Sequence, residues 1–159
     1  MLTVTILCIG KCKEKYWRDA CAEYGKRLSA FCRFSIVELE ESRVPDRASD
    51  AQIRQALSQE GARILSKAGD SALISLCIEG KEVSSPELSK RLQEMAVGGM
   101  SKVAFAIGGS WGLSEEVKKA SLFRLSMSPM TFPHQLARVM LCEQVYRAFQ
   151  IANDGKYHK

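Results

Sequence analysis

Apolar positions alternate between two rhythms along this chain. Leu2 to Ile9 is a short, almost unbroken apolar and β-branched run that stops at Gly10, the pattern of a buried strand. From Lys13 to about Phe31, the residues Trp17, Ala20, Cys21, Tyr24 and Leu28 recur at helical spacing. Arg33 to Glu41 reads as a second strand, and Ser42 to Arg47, which holds Pro45, as a loop. Ser49 and Gln52 stand at capping-box spacing and open a helix to about Lys67, with Ile53, Leu57, Ile64 and Leu65 turned inward. Ser71 to Ile78 is a third strand; Ser85 as cap and Pro86 in the first turn then start a helix through Leu88, Leu92 and Met95, which Gly98-Gly99 ends. Lys102 to Ile107 is a fourth strand running into Gly108-Gly109. Ser114, Glu115 and Glu116 start a short helix, where the macrodipole favours the two glutamates. Leu122 to Met127 is a fifth strand, and Pro133 opens a last helix that reaches about Ala152.

Apolar strands that alternate with helices predict an α/β fold, a parallel-rich sheet with helices on both faces. With no linker or repeat, residues 1–159 are expected to form a single domain. A chain of this size needs no disulfide or metal staple. Hydrophobic residues at 46% and charged residues at 26% exclude disorder, collagen and coiled coil.

The leading apolar run has no basic segment before it and no small-residue cleavage site after it, so no signal peptide and no membrane span are expected. Six cysteines form no C-x-x-C pair, and several sit in apolar runs; free thiols in a reducing cytoplasm are expected, and no metal. The net charge of +5 permits an anionic partner without proving one.

P-loop, dinucleotide, hydrolase-elbow and zincin signatures are all missing. Chemistry concentrates late in the chain. Gly108-Gly109-Ser110-Trp111-Gly112 follows a strand and precedes a capped helix. It is either a tight turn or a place where backbone approaches a ligand. Met127 to Gln135, with two prolines, is either an apolar connector or a stiff loop able to bond an adenine edge. The last helix is apolar on more than one face, which points to burial on a second side in a monomer or at a subunit interface. Arg138 and Arg147 interrupt it, and Tyr157, His158 and Lys159 close the chain; such termini are usually frayed, although a tyrosine beside a histidine also suits a nucleobase site.

At these residues the sequence resembles the small SPOUT-class methyltransferases that modify N3 of a pseudouridine in 23S ribosomal RNA. The likeness spans essentially the whole chain. It rests on ILCIGKCKEKYW at 6–17, AFAIGGSWGL at 104–113, LSMSPMTFPHQLARVMLCEQVYRAF at 125–149 and YHK at 157–159. The resemblance implies a C-terminal trefoil knot, a homodimer and an S-adenosylmethionine pocket. That pocket would use Leu76, Gly108, Met127, Ser128, Pro129, Met130, Thr131 and Phe132. Trp111 departs from the smaller or polar residue expected in the glycine loop. For catalysis, either His158 or a nearby base is expected to take the N3 proton, or basic residues, Arg138 among them, to stabilise the developing imidate, with Tyr157 stacking on or hydrogen-bonding the nucleotide. His134, Arg147 and Lys159 are expected to orient RNA phosphates, with assembled ribosomes as the substrate. Action on a ribose 2′-OH or on tRNA, and a non-catalytic ribosome-binding role, are the alternatives.

Overall fold

The computed structural model describes residues 1–159. Ten elements follow one another: β1 (Thr3–Ile9), α1 (Lys15–Leu28), β2 (Arg33–Leu39), α2 (Asp50–Ala68), β3 (Ala72–Glu82), α3 (Ser85–Val97), β4 (Lys102–Ile107), α4 (Glu115–Ala120), β5 (Phe123–Ser126) and α5 (His134–Ala152). The strands form one sheet in the order β2-β1-β4-β3-β5, and every neighbouring pair is parallel. Each strand is followed by a helix that carries the chain back, the crossover a parallel pair requires.

Period-two alternation then sorts the strand residues between two cores. Val4, Ile6, Ile74, Val103 and Phe105 pack under α1, α3 and α5, whereas Leu7, Ile9, Leu73, Ala104 and Ala106 pack under α2 and α4. Phe105 is completely buried. Burial of such a side chain stabilises by about 1.5–3 kcal/mol. All six cysteines are free, and five of them are buried.

The expected capping box is present: Ser49 Oγ accepts from Gln52 N at 3.2 Å and Gln52 Oε1 accepts from Ser49 N at 2.8 Å. The α3 cap differs from expectation. Ser84, not Ser85, accepts from Glu87 N, at 3.2 Å, and Ser85 Oγ instead donates to Gln144 Oε1 of α5 at 2.6 Å. Strand β3 also runs past the expected end at Ile78, because Leu76 and Lys81 both pair with Leu125 and the four residues between them bulge out of the ladder.

An all-parallel sheet gathers the carboxyl ends of its strands on one edge. The loops after β1, β4 and β5 therefore meet there, and this is the edge where α/β sheets hold ligands.

Candidate active site

The turn after β4 is built on glycine. A Cβ on Gly108 would overlap the carbonyl oxygen of Gly112, and Gly112 itself has φ of +83°. Gly112 N donates to Gly109 O at 3.1 Å, closing the turn. Ser114 Oγ then accepts from Val117 N and caps α4. These glycines are thus required by the turn itself, and the same turn brings bare backbone to the sheet edge. Trp111 at its tip is 57% exposed.

The loop after β5 is stiffened by its serines. Ser126 Oγ donates to Ser128 O at 3.1 Å, and Ser128 Oγ accepts from Met130 N at 3.0 Å. No peptide group from Met127 to Phe132 makes a backbone–backbone hydrogen bond. The N–H groups of Met127, Ser128, Thr131 and Phe132 therefore have no protein partner and are free to bond a ligand. Unmade backbone bonds at a rigid, partly apolar loop are the property a ligand site needs.

Between the two loops lies a cavity of about 450 Å³. Leu76, Gly108, Met127, Ser128, Met130, Thr131 and Phe132 all line it; of the residues assigned to the cofactor only Pro129 does not, being turned out to solvent. His134, expected at RNA, lines it too. The β3 bulge forms a wall that the sequence reading did not identify: Cys77, Ile78 and Glu79 face the cavity, and Lys118 of α4 reaches Glu79 at 2.5 Å. The Lys118 ammonium holds the Glu79 carboxyl below its ordinary range, so the pair is fully ionised at neutral pH. The available signal was Gly80, a lone glycine after an apolar run. A Cβ there would stand 2.8 Å from the Arg124 carbonyl carbon and oxygen.

The other expected residues lie elsewhere in the chain. Arg138 is 2% exposed, and its guanidinium donates to Glu38 at 2.7 Å and to the Gly10 carbonyl at 3.2 Å. It does not line the cavity. Burial pushes the Glu38 carboxyl up, but Arg138 and the Cys12 N–H together outweigh it and bring Glu38 below its ordinary range.

Tyr157, His158 and Arg147 come together around Glu143. Tyr157 Oη donates to Glu143 at 3.0 Å, Arg147 Nη2 donates to it at 2.6 Å, and Arg147 Nη1 lies 3.1 Å from His158 Nδ1. The Arg147 guanidinium also sits 4.7 Å over the Tyr157 ring. The tail is therefore docked on α5, not frayed; Lys159 is exposed at its end. Burial and the bond to Glu143 push the Tyr157 phenol up to about 12, so at neutral pH it is a donor and no base. The cluster lies farther along α5 than the cavity: at about 1.5 Å per residue, Ala137 at the cavity wall is about 9 Å from Glu143 and about 15 Å from Arg147. A second, apolar cavity of about 410 Å³ lies between them, shares Met127 with the first, and includes Val139, Met140 and Glu143. No group of three or more His, Cys, Asp or Glu side chains is arranged to hold a metal ion, and no helix is long and apolar enough to cross a membrane.

A doubly covered parallel sheet with an apolar, backbone-lined cavity at its carboxyl edge defines a small-molecule-binding α/β protein. The family model described as "Predicted SPOUT methyltransferase" matches residues 2–158, and the chain belongs to that family and is a methyltransferase. Among curated relatives, Ribosomal RNA large subunit methyltransferase H of Clostridium botulinum is 49% identical and that of Streptococcus equi subsp. zooepidemicus 46% identical, each over 99% of this chain and 100% of the relative. In fold, the chain is similar to a probable methylase family protein from Haemophilus influenzae, at a TM-score of 0.56 and 14% identity over 98% of this chain and 70% of the other. A tRNA methyltransferase from Aquifex aeolicus gives a TM-score of 0.56 at 12% identity, over 92% of this chain and 69% of the other.

Proposed function

We propose that this protein uses S-adenosylmethionine to methylate N3 of a pseudouridine in 23S ribosomal RNA, acting in the cytoplasm as a homodimer on assembled ribosomes. The observation that carries the cofactor assignment is the open backbone of Met127–Phe132 facing a cavity of about 450 Å³. That volume lies within the range of about 300–1,000 Å³ for pockets that hold ligands of this size. The full-length relatives named as large-subunit rRNA methyltransferases support the substrate class. A C-terminal trefoil knot belongs to the same reading, and the landing of β5 beside β3, beyond its predecessor β4, is compatible with it.

The bound cofactor supplies an already activated methyl group, so the protein's task is alignment, exclusion of water and removal of one proton. The free N–H groups of the β5 loop would hold the adenine edge, Leu76, Met127 and Phe132, which line the cavity, would cover its faces, and Gly108 would let backbone approach. N3 of pseudouridine is an imide nitrogen whose proton must leave before its lone pair can attack; His158 accepts that proton. Tyr157, kept protonated, holds the nucleotide. His134, Arg147 and Lys159 orient phosphates. Arg138 is fastened to Glu38 and Gly10, and this geometry supports a positioning role, not direct contact with an imidate.

Along α5, Glu143, which Tyr157 bonds, lies about 9 Å beyond Ala137, the last residue of the helix at the cavity, and Arg147 about 15 Å beyond it. On this reading the tail of one copy serves the cavity of a second copy, and that is the role of the homodimer. The test is radiolabelled methyl transfer to ribosomes from a strain lacking this enzyme, followed by nucleoside mapping. Label on N3 of a pseudouridine is expected, with a short stem-loop labelled far more slowly. Label on a ribose 2′-OH or only on tRNA overturns the substrate assignment. Ribosome binding with no transfer overturns the catalytic one.

A further inference from the structure

The segment from Gly10 to Arg18, between β1 and the first turn of α1, takes no part in the chemistry above. Residues 11–18 hold Lys11, Lys13, Lys15 and Arg18 against Glu14, a local balance of +3 in a chain whose total is +5. Their surroundings differ. Lys15 pairs with Asp19 at 2.7 Å, and Arg18 donates to the turn's own carbonyls, Cys12 O at 3.1 Å and Lys13 O at 2.7 Å. Lys11 and Lys13 are exposed and make no ion pair within 4.0 Å.

The turn that presents them is fastened from both sides. Glu38 accepts from Cys12 N at 2.6 Å, Gln135 Oε1 accepts from Lys13 N at 3.2 Å, and Arg138 holds the Gly10 carbonyl. Burying an arginine is expensive, and here the buried guanidinium fixes an exposed turn. Pre-ordered groups lose less freedom on binding. The turn is also close to the cavity. Gly109 of the glycine turn abuts Ile9, the last residue of β1, with its Cβ position 3.3 Å from Ile9 Cγ2. Gln135, which grips Lys13, follows His134 on the cavity wall. Tyr16, 62% exposed, stands edge-on to Trp17 at 4.9 Å beside the same turn. Of the carboxylates at the turn, Glu38 is already matched by Arg138, Glu14 follows Lys13 in the chain, and Glu41 lies 3.9 Å from the Cβ position of Gly10.

We infer that Lys11 and Lys13, held by the Glu38–Arg138–Gln135 clamp, form a phosphate-docking edge that seats structured RNA beside the cavity, with Tyr16 as an adjoining stacking face. This inference rests on the RNA reading given above. Two cations on a backbone turn held in place would neutralise two phosphates and release their counterions, so log K would fall linearly with the logarithm of salt concentration.

The test uses the full-length protein and the double variant Lys11→Gln/Lys13→Gln, with binding to ribosomes measured across a salt series. Loss of two phosphate contacts should make the plot of log K against log salt shallower by about 2. In methyl transfer, the KM for ribosomes should rise about tenfold or more at physiological salt while the saturating rate stays within about twofold. Calorimetric binding of S-adenosylhomocysteine should be unchanged, which also shows that the variant folds, and Lys11→Arg/Lys13→Arg should keep the wild-type slope. An unchanged slope and KM in the glutamine variant overturn the docking edge alone. A wild-type protein that binds ribosomes with the expected salt slope but transfers no methyl overturns the catalytic reading and leaves the docking edge standing; one that binds no RNA overturns both.

Discussion

Arg138 connects three parts of the chain that are distant in sequence: α5, the end of β2 at Glu38 and the turn at Gly10. Truncating it to alanine leaves Glu38 with only the Cys12 N–H. Loss of a charged hydrogen-bonded partner costs about 1.5–3 kcal/mol, so Arg138→Ala should lower the melting temperature by roughly 5–10 °C in a chain of this size. The pH dependence has a definite sign. Glu38 titrates below its ordinary range when folded, so the pair's contribution is present above the unfolded value of about 4.3 and is lost as pH falls through the folded value. Melts of wild type and Glu38→Gln should therefore differ at pH 7, and the gap should narrow progressively as pH falls below the unfolded value of about 4.3. A constant gap across that range would show that the carboxylate charge is not what stabilises the turn. This link was hidden in the sequence because its partners stand 100 residues apart, and an arginine among apolar residues on a helix is usually solvated.

At the scale of elements, strands and helices were legible because each carries its own period and punctuation. Ser49 with Gln52, and Ser114 before two glutamates, fix their helix starts through local bonds. The β3 bulge was not legible, since a register shift against β5 is a relation between two strands and leaves only Gly80 as a trace. The two loops that flank the cavity were located from glycine and proline content alone, yet that content could not separate a tight turn from a binding turn. Gly108 shows why: the turn's closure forbids a Cβ whatever is bound. Both walls of the cavity should accordingly be sensitive to one methyl group. Gly80→Ala places a carbon against the Arg124 backbone, which cannot rotate away, and should lose about 1–3 kcal/mol of stability by overpacking. Gly108→Ala forces Gly112 outward and should weaken S-adenosylhomocysteine binding at least about tenfold, equivalent to about 1.4 kcal/mol. Calorimetry with wild-type affinity in both variants would exclude these walls from the cofactor site.

Over the whole molecule, the cavity at one end of α5 and the Tyr157–His158–Arg147 cluster farther along it are separate within one chain, with the second cavity between them. Sequence resemblance put these residues into one site, whereas in the fold the tail cluster gathers around Glu143, about one to two turns of α5 past the cavity. The half-buried apolar residues Val139 and Met140, beside the second cavity, give α5 a surface suited to a second copy. A two-fold dimer that pairs each cavity with the partner's tail makes a quantitative prediction. Mix a cavity-defective variant, Gly108→Ala, with a tail-defective one, His158→Ala, and allow subunits to exchange. Random pairing makes about half the dimers mixed, and each mixed dimer holds one intact cavity facing one intact tail, so about a quarter of wild-type activity should return. Sites formed within one chain would return none, because every chain in the mixture carries one defect. Mixed dimers verified by mass but no more active than their parents would mean that tail and cavity do not work across a subunit boundary.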